Sequence, residues 1–231
     1  MKKFIHITTL YFGNRWVDKL KSIAVGFFLH YFFTLISVIL ILIVDKVFLP
    51  LINVDSIIKN HYESSGLLEE YGVIIGTMIV TLAGPLMEEI SFRLILNPTR
   101  TNTVISPIIF FFLTSGPIWY LNTFPIIRLL MCLFIFIFFY IFSDFFNNKL
   151  LGFNKNLLLI FSSFAFALFH IFNFSNFQFI LLPVYLIYVL PQFFLGVILG
   201  IVRLKNGFFW SVLLHILING SVTWPKLFTY G

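Results

Sequence analysis

Charge is the scarcest ingredient of this sequence: 10% of its 231 residues are Asp, Glu, Lys or Arg, against about 25% in soluble domains. So few solvating side chains exclude an ordinary water-soluble globule. The basic excess, a formal net charge of +6, is dispersed among loops rather than clustered, so no nucleic-acid partner is expected. Cysteine is nearly absent, and Cys132, alone in an apolar run, can close no intrachain disulfide. There is no internal repeat, no low-complexity linker and no polar stretch long enough for a soluble domain. Residues 22–231 therefore read as one domain with a core over 71–224. Lys2 and Lys3 are not followed by a short apolar core and a cleavage site, which argues against a removable signal peptide.

Apolar side chains fill the space that charge leaves. Hydrophobic residues make up 60% and aromatic ones 20%, with 33 Phe, a composition suited to a lipid-facing surface. A crossing helix needs about 20 apolar residues. On that length the sequence predicts an all-α polytopic bundle of about seven spans, with eight as the alternative count. They fall near Ser22–Val44, Tyr71–Leu96, Val104–Leu121, Phe124–Phe146, Asn156–Phe172, Gln178–Val202 and Gly207–Trp224. Pro107 and Ser115–Gly116–Pro117 are expected to interrupt the third, and Pro183 and Pro191 to kink the sixth.

Lys and Arg set the orientation. Lys2, Lys3, Arg15, Lys19, Lys21, Arg100, Lys149, Lys155, Arg203 and Lys205 fall on one side, Lys46, Lys59 and Lys226 on the other. That bias predicts a cytoplasmic amino terminus. The stretch 1–21, with Trp16, Lys19, Leu20 and Lys21, is expected to lie on the inner surface as an amphipathic helix. Arg128 is expected to snorkel to the outer interface, and Asp144 to sit at the inner one. The chain reads as a multi-pass cell-membrane protein, and its small size points to a bacterial plasma membrane.

Ionisable groups at bilayer depth are costly and mark function. Glu88 and Glu89 stand inside the second span, ~18 Å from Arg100 on the α-helical rise. His170 lies ~22 Å from Lys155, and His215 ~15 Å from Lys205. Three spans thus bring polar groups near one level of a core about 30 Å thick. Glu89 and Arg93 are four residues apart and share a face. Glu88 points about 100° away, without a local cation, and suits general-base work. His215 and Asn219, also four apart, present an imidazole and an amide that can donate to an oxyanion.

Glu88-Glu89-Ile-Ser-Phe-Arg93, Phe166-Ala-Leu-Phe-His170 and His215-Ile-Leu-Ile-Asn219 read as EExxxR, FxxxH and HxxxN. In that order on apolar helices they resemble the CPBP family, the CAAX-protease and bacteriocin-processing (Abi) proteins. The resemblance implies a helical membrane fold that cleaves peptide bonds by glutamate-activated water. Glu88 would activate the water and His170 would assist it. His215 and Asn219 would form the oxyanion hole, with Glu89, Arg93 and Phe166 in support. It implies a membrane-associated peptide or protein substrate, reached from the lipid or the cytoplasmic side, and no cofactor. The sequence holds no HExxH, but histidines and carboxylates also ligate zinc, so zinc stays open, as does oligomeric state. Two features depart from the family pattern. The interval of 82 residues from Glu88 to His170 is long, as if a hairpin were inserted at about 104–150, and Leu94 follows the motif arginine where glycine is common.

Other readings compete. Glu89–Arg93 reads better as a buried structural ion pair than as a catalytic dyad. Asn219 before Gly220 could be a helix C-cap. Ser162 and Ser163 suggest a serine nucleophile but suit helix packing better, and a lone His30 on an apolar helix suggests packing. The alternative for the whole chain is a non-catalytic scaffold or bacteriocin self-immunity protein. A small transporter is a third reading, weakened by the absence of an internal repeat.

Overall fold

The computed structural model describes residues 15–58, 71–116, 123–174 and 177–229. Among them all regular structure is helical. Helix α1 runs Trp16–Leu51, α2 Val73–Leu96, α3 Arg100–Ser115, α4 Pro125–Ile141 and α5 Ser143–Leu151. Then come α6 at Lys155–Phe169, continued by a 3-10 turn His170–Asn173, α7 at Leu182–Tyr188, α8 at Leu190–Asn206 and α9 at Phe208–Thr229.

Among the described residues four helices are long and apolar enough to cross a membrane: α1, α2, α6 with its 3-10 turn, and α9. Two bent pairs raise the number to six, α4 with α5 at 67° and Phe179–Tyr188 with α8 at 53°. The chain is thus a multi-pass helical membrane protein with four to six candidate spans, against the seven expected. The described part of the third expected span is α3, of 16 residues; residues 117–121 of that span lie outside the described residues. Pro107 lies inside it without ending it, contrary to expectation. The Ser106 hydroxyl donates to the Ser91 carbonyl, tying α3 to α2 just before the proline, and neighbouring helices of this kind are what make an intramembrane proline tolerable. Pro191 behaves as expected, with α8 restarting around it after the bend.

The amino-terminal surface helix does not appear as a separate element over its described part. Trp16–Lys21 form the first turns of α1, and residues 1–14 lie outside the described residues. The same helix outruns its expected end at Val44 through a π turn, Val44–Phe48. That turn carries Asp45, whose side chain is fully buried. Tyr188 Oη donates to it at 2.7 Å, Ser56 Oγ at 2.8 Å and the Ile58 amide at 3.2 Å. One carboxylate therefore fastens the end of α1 to α7. Arg128 lies over the Phe112 ring at 4.0 Å and donates to the Phe112 carbonyl, clamping α4 to α3. Asp144 pairs with Arg100, whose NH2 donates at 2.8 Å, with both side chains more than half exposed.

Lipid offers no hydrophobic drive for helices to associate, so close packing decides which ones touch. The central contact is α6 on α8. A Cβ on Gly196 would lie 3.0 Å from Ser163 Cα, and one on Gly200 2.2 Å from Leu159 Cδ1. Ser162 donates to the Phe92 carbonyl and Ser163 to Leu159 O at 2.8 Å, so both serines serve packing. Phe92, Phe166, Leu195, Leu199, Leu214 and Ile218 form the core where α2, α6, α8 and α9 meet. No residue of α4 or α5 is buried, so that part of the expected insertion lies at the rim, whereas α3, its first part, buries Val104, Ser106, Thr114 and Ser115. Gly207, the one residue between α8 and α9, has φ 100°, a left-handed geometry that glycine supplies without strain. Gly196→Val should overpack the α6–α8 seam at a cost of about 1–3 kcal/mol. A lower melting temperature in detergent, with Gly196→Ala intermediate, is the expected result.

Candidate active site

The seven site side chains come from three helices, α2, α6 with its 3-10 turn and α9, and each is placed by a local feature of its own. In α2 a π turn, Ile79–Ala83, precedes the α-helical segment Gly84–Arg93. Glu88 projects to one side of that segment and Glu89 to another. Glu89 and Arg93 are fully buried and lie 3.7 Å apart, whereas the Glu88 side chain retains 17% exposure. That contrast separates the two acids: only Glu88 can meet water or a substrate.

His170 stands where α6 tightens into its 3-10 turn. Its Nδ1 lies 2.8 Å from the Phe166 carbonyl. A carbonyl only accepts, so Nδ1 carries the proton and the neutral ring turns a lone pair outward at Nε2. That Nε2 faces Glu88 Oε1 at 4.0 Å. His215, on α9, lies between the two acids, with Nδ1 3.2 Å from Glu89 Oε1 and Nε2 3.5 Å from Glu88 Oε2. The Phe166 ring holds the group together. Fully buried, it meets His170 at 4.6 Å and His215 at 5.9 Å edge to face, and carries the Arg93 guanidinium at 4.5 Å on its face. Phe166→Ala should cost about 3–5 kcal/mol and loosen both imidazoles, a joint loss of melting temperature and cleavage.

All seven residues singled out from the sequence converge, though not with every partner expected. Asn219 donates Nδ2 to the Val80 carbonyl at 3.1 Å. Val80 lies in the π turn of α2, where wider winding leaves a carbonyl for a side-chain donor. The C-cap reading of Asn219 does not hold, since α9 continues through Gly220 to Thr229. Arg93 makes its close approaches to Glu89 and to Phe166 and serves as a buried counter-charge rather than a surface of the site.

Glu88, His170, His215 and Asn219 border a half-open cavity of about 450 Å³. Sequence reasoning missed part of its wall: His30 and Thr34 from α1, Gln192 from α8 and Thr223 from α9. His30, expected as packing, lines this wall. It is 8% exposed, and its Nδ1 has no hydrogen-bond partner. Among the described residues no group of three or more His, Cys, Asp or Glu is disposed to hold a metal ion. Glu88 instead meets the two imidazoles as direct neighbours. The arrangement offers an accessible carboxylate, two flanking imidazoles and an amide around one reaction volume, which is equipment for proton transfer and oxyanion binding.

A family model, type II CAAX prenyl endopeptidase Rce1-like, matches residues 70–221, a stretch that takes in all three motifs. No curated protein and no solved structure matches the chain significantly.

Proposed function

From the premise that this chain belongs to the Rce1-like family of type II CAAX prenyl endopeptidases, we propose that it is an intramembrane endopeptidase. Its substrate is a membrane-associated peptide or protein, and its setting the plasma membrane, with the amino terminus in the cytoplasm. The observation that carries the reading is Glu88, the one accessible acid of the pair, flanked at 3.5 and 4.0 Å by imidazole nitrogens from two other helices.

The chemistry follows from the donors and acceptors. Glu88 and the His170 Nε2 lone pair both accept from one water lying between them, which fixes its direction. Glu88 takes a proton as the water oxygen bonds to the scissile carbonyl carbon. His215 lies between two carboxylates, with Nδ1 toward Glu89 and Nε2 toward Glu88, and the proton it shares with Glu88 serves the reaction. Residing on Nε2, it donates to the tetrahedral oxyanion together with the second N–H of Asn219, since only one amide N–H is used on Val80. Glu88 then passes its proton to the leaving amine nitrogen as the C–N bond breaks. Asn219→Ala should lower kcat by about 10²–10³ with a smaller change in KM.

The test is product analysis by mass spectrometry. Purified protein in lipid nanodiscs is incubated with membrane-anchored peptides, with and without a chelator. Products that appear with the wild-type chain, persist in chelator and vanish with Glu88→Gln support the reading. Peptides left intact by a folded wild-type chain across a broad substrate panel would count against it.

A further inference from the structure

A second cavity, of about 640 Å³, shares no lining residue with the one beside Glu88. Its size falls within the ~300–1,000 Å³ usual for ligand sites. Helix α3 supplies Phe110, α4 Phe139, α5 Phe145 and Lys149, and α6 Phe161 and Ala165. Without α3, α4 and α5 it would have no outer wall, so it belongs to the insertion rather than to the helices that carry the motifs. The Phe92 ring closes its inner wall, packed on Phe110 at 5.6 Å and on Phe166 at 5.4 Å.

The hydroxyls of its wall are already committed inside the protein. Ser91 Oγ donates to the Met87 carbonyl at 2.8 Å and Thr103 Oγ1 to the Arg100 carbonyl at 2.9 Å. Ser106 and Ser162 donate to the Ser91 and Phe92 carbonyls. What remains is aromatic and aliphatic surface, and apolar space of this kind stays dry and takes hydrocarbon. Because α4 and α5 bury no residue, hydrocarbon reaches it from the bilayer. Along α6 the lining extends to Ala165, ~15 Å from Lys155 on the helical rise. Along α3 it extends to Phe110, ~15 Å from Arg100 by the same rise. That is half of a core about 30 Å thick, the depth of one leaflet. The mouth is basic. Lys149 stands there, exposed in the last turn of α5. Its Nζ rests 5.7 Å from the Phe145 ring centre, with no carboxylate partner among the described residues. Asp144, the acid of the same helix, is neutralised by Arg100.

We infer that this cavity binds an anionic phospholipid, one acyl chain lying between α3, α5 and α6 and the headgroup phosphate paired with Lys149. The second chain stays in the bilayer. A lysine at the membrane surface favours anionic over zwitterionic headgroups, and a chain one leaflet long fits the depth of the groove. The bound chain also restores to Phe92 the contacts that an empty groove would forfeit. Through Phe92 it steadies Phe166, the ring that meets His170 and His215. Lipid binding needs no turnover, so it holds or fails independently of the peptidase reading.

The probe is phosphatidylglycerol, with phosphatidylcholine of the same acyl chains as control. The purified chain, delipidated in detergent, is titrated with each, and bound lipid is counted by native mass spectrometry. One phosphatidylglycerol per chain, held about five-fold more tightly than phosphatidylcholine, is the expected result. Lys149→Gln should bring the two lipids level without weakening phosphatidylcholine. Ala165→Phe, which fills the groove from α6, should abolish binding of both. A phosphatidylglycerol with a diazirine midway along one chain, crosslinked to the wild-type protein, reports the site whether or not Ala165→Phe folds. Its adducts should map to α3, α5 and α6. Equal binding of the two lipids by the wild type overturns the inference, as does a preference that survives Lys149→Gln. So do adducts on α1 or α9, or undiminished binding by a folded Ala165→Phe chain. Stoichiometric displacement of phosphatidylglycerol by a prenylated peptide overturns it too, since the groove would then be part of the substrate site.

Discussion

Glu88→Gln folds, inserts and binds substrate, yet cleaves about 10²–10⁴-fold more slowly. Glutamine matches glutamate in size, and Glu88 borders the cavity at 17% exposure, so the exchange opens no void in the core. It also leaves the buried charge pairing intact, since Arg93 remains opposite Glu89 at 3.7 Å. What disappears is the acceptor that takes the proton of the attacking water. Glu88→Asp should recover only part of the rate, because a shorter side chain draws the carboxylate away from His170 and His215, and a displacement of about 1 Å can cost ~10²-fold. The measurements are single-turnover cleavage by mass spectrometry and melting temperature in the same detergent. A Glu88→Gln chain with wild-type melting and a wild-type rate would remove Glu88 from the chemistry.

The placement of Glu88, His170 and His215 was legible because depth in a membrane helix is arithmetic: a fixed rise from a basic end locates each polar group. The division between Glu88 and Glu89 was legible for the same reason, since successive residues diverge by about 100° and only one can share a face with Arg93. Partnerships across helices were not. His215 with Asn219 reads as one oxyanion-binding unit from spacing, but spacing does not show that Nδ1 of His215 is committed to Glu89 and one Asn219 N–H to Val80, which leaves Nε2 and the second N–H for that task. The second contact depends on the π turn Ile79–Ala83, a change of winding that hydrophobic pattern does not carry. His30 could not be ranked above a packing histidine, because its role depends on how α1 is rotated against α8 and α9. Hydropathy does not carry bends or breaks, so the seven expected spans stand against four to six candidates among the described residues, with α3 short and both α4–α5 and α7–α8 bent. One signal was present and unread: Gly196 and Gly200 form a GxxxG pair, the pattern that lets helices approach closely, and they mark the α6–α8 seam.

Arg93→Ala and Glu89→Gln should fail in a different way, by loss of the fold. Both side chains are fully buried, and removing one member of such a pair strands the other without compensation, at about 3–5 kcal/mol. For Arg93 the loss extends to the Phe166 face at 4.5 Å, and through that ring to the seating of both histidines. Glu89→Gln costs Arg93 its counter-charge and leaves His215 Nδ1 a weaker, neutral amide oxygen in place of the carboxylate. Reduced yield and a melting temperature lowered by several degrees are therefore expected before activity is considered. The double variant Glu89→Gln/Arg93→Met distinguishes fold from chemistry, since replacing both charges by uncharged groups of similar size removes the stranded ion and is often neutral for stability. Its melting temperature should return most of the way to wild type, while cleavage stays depressed because His215 is held less firmly. If instead each single variant melted like the wild type and was as inactive as Glu88→Gln, the buried pair would belong to the reacting groups. The assignment of Glu88 as sole base would then give way to a two-carboxylate mechanism.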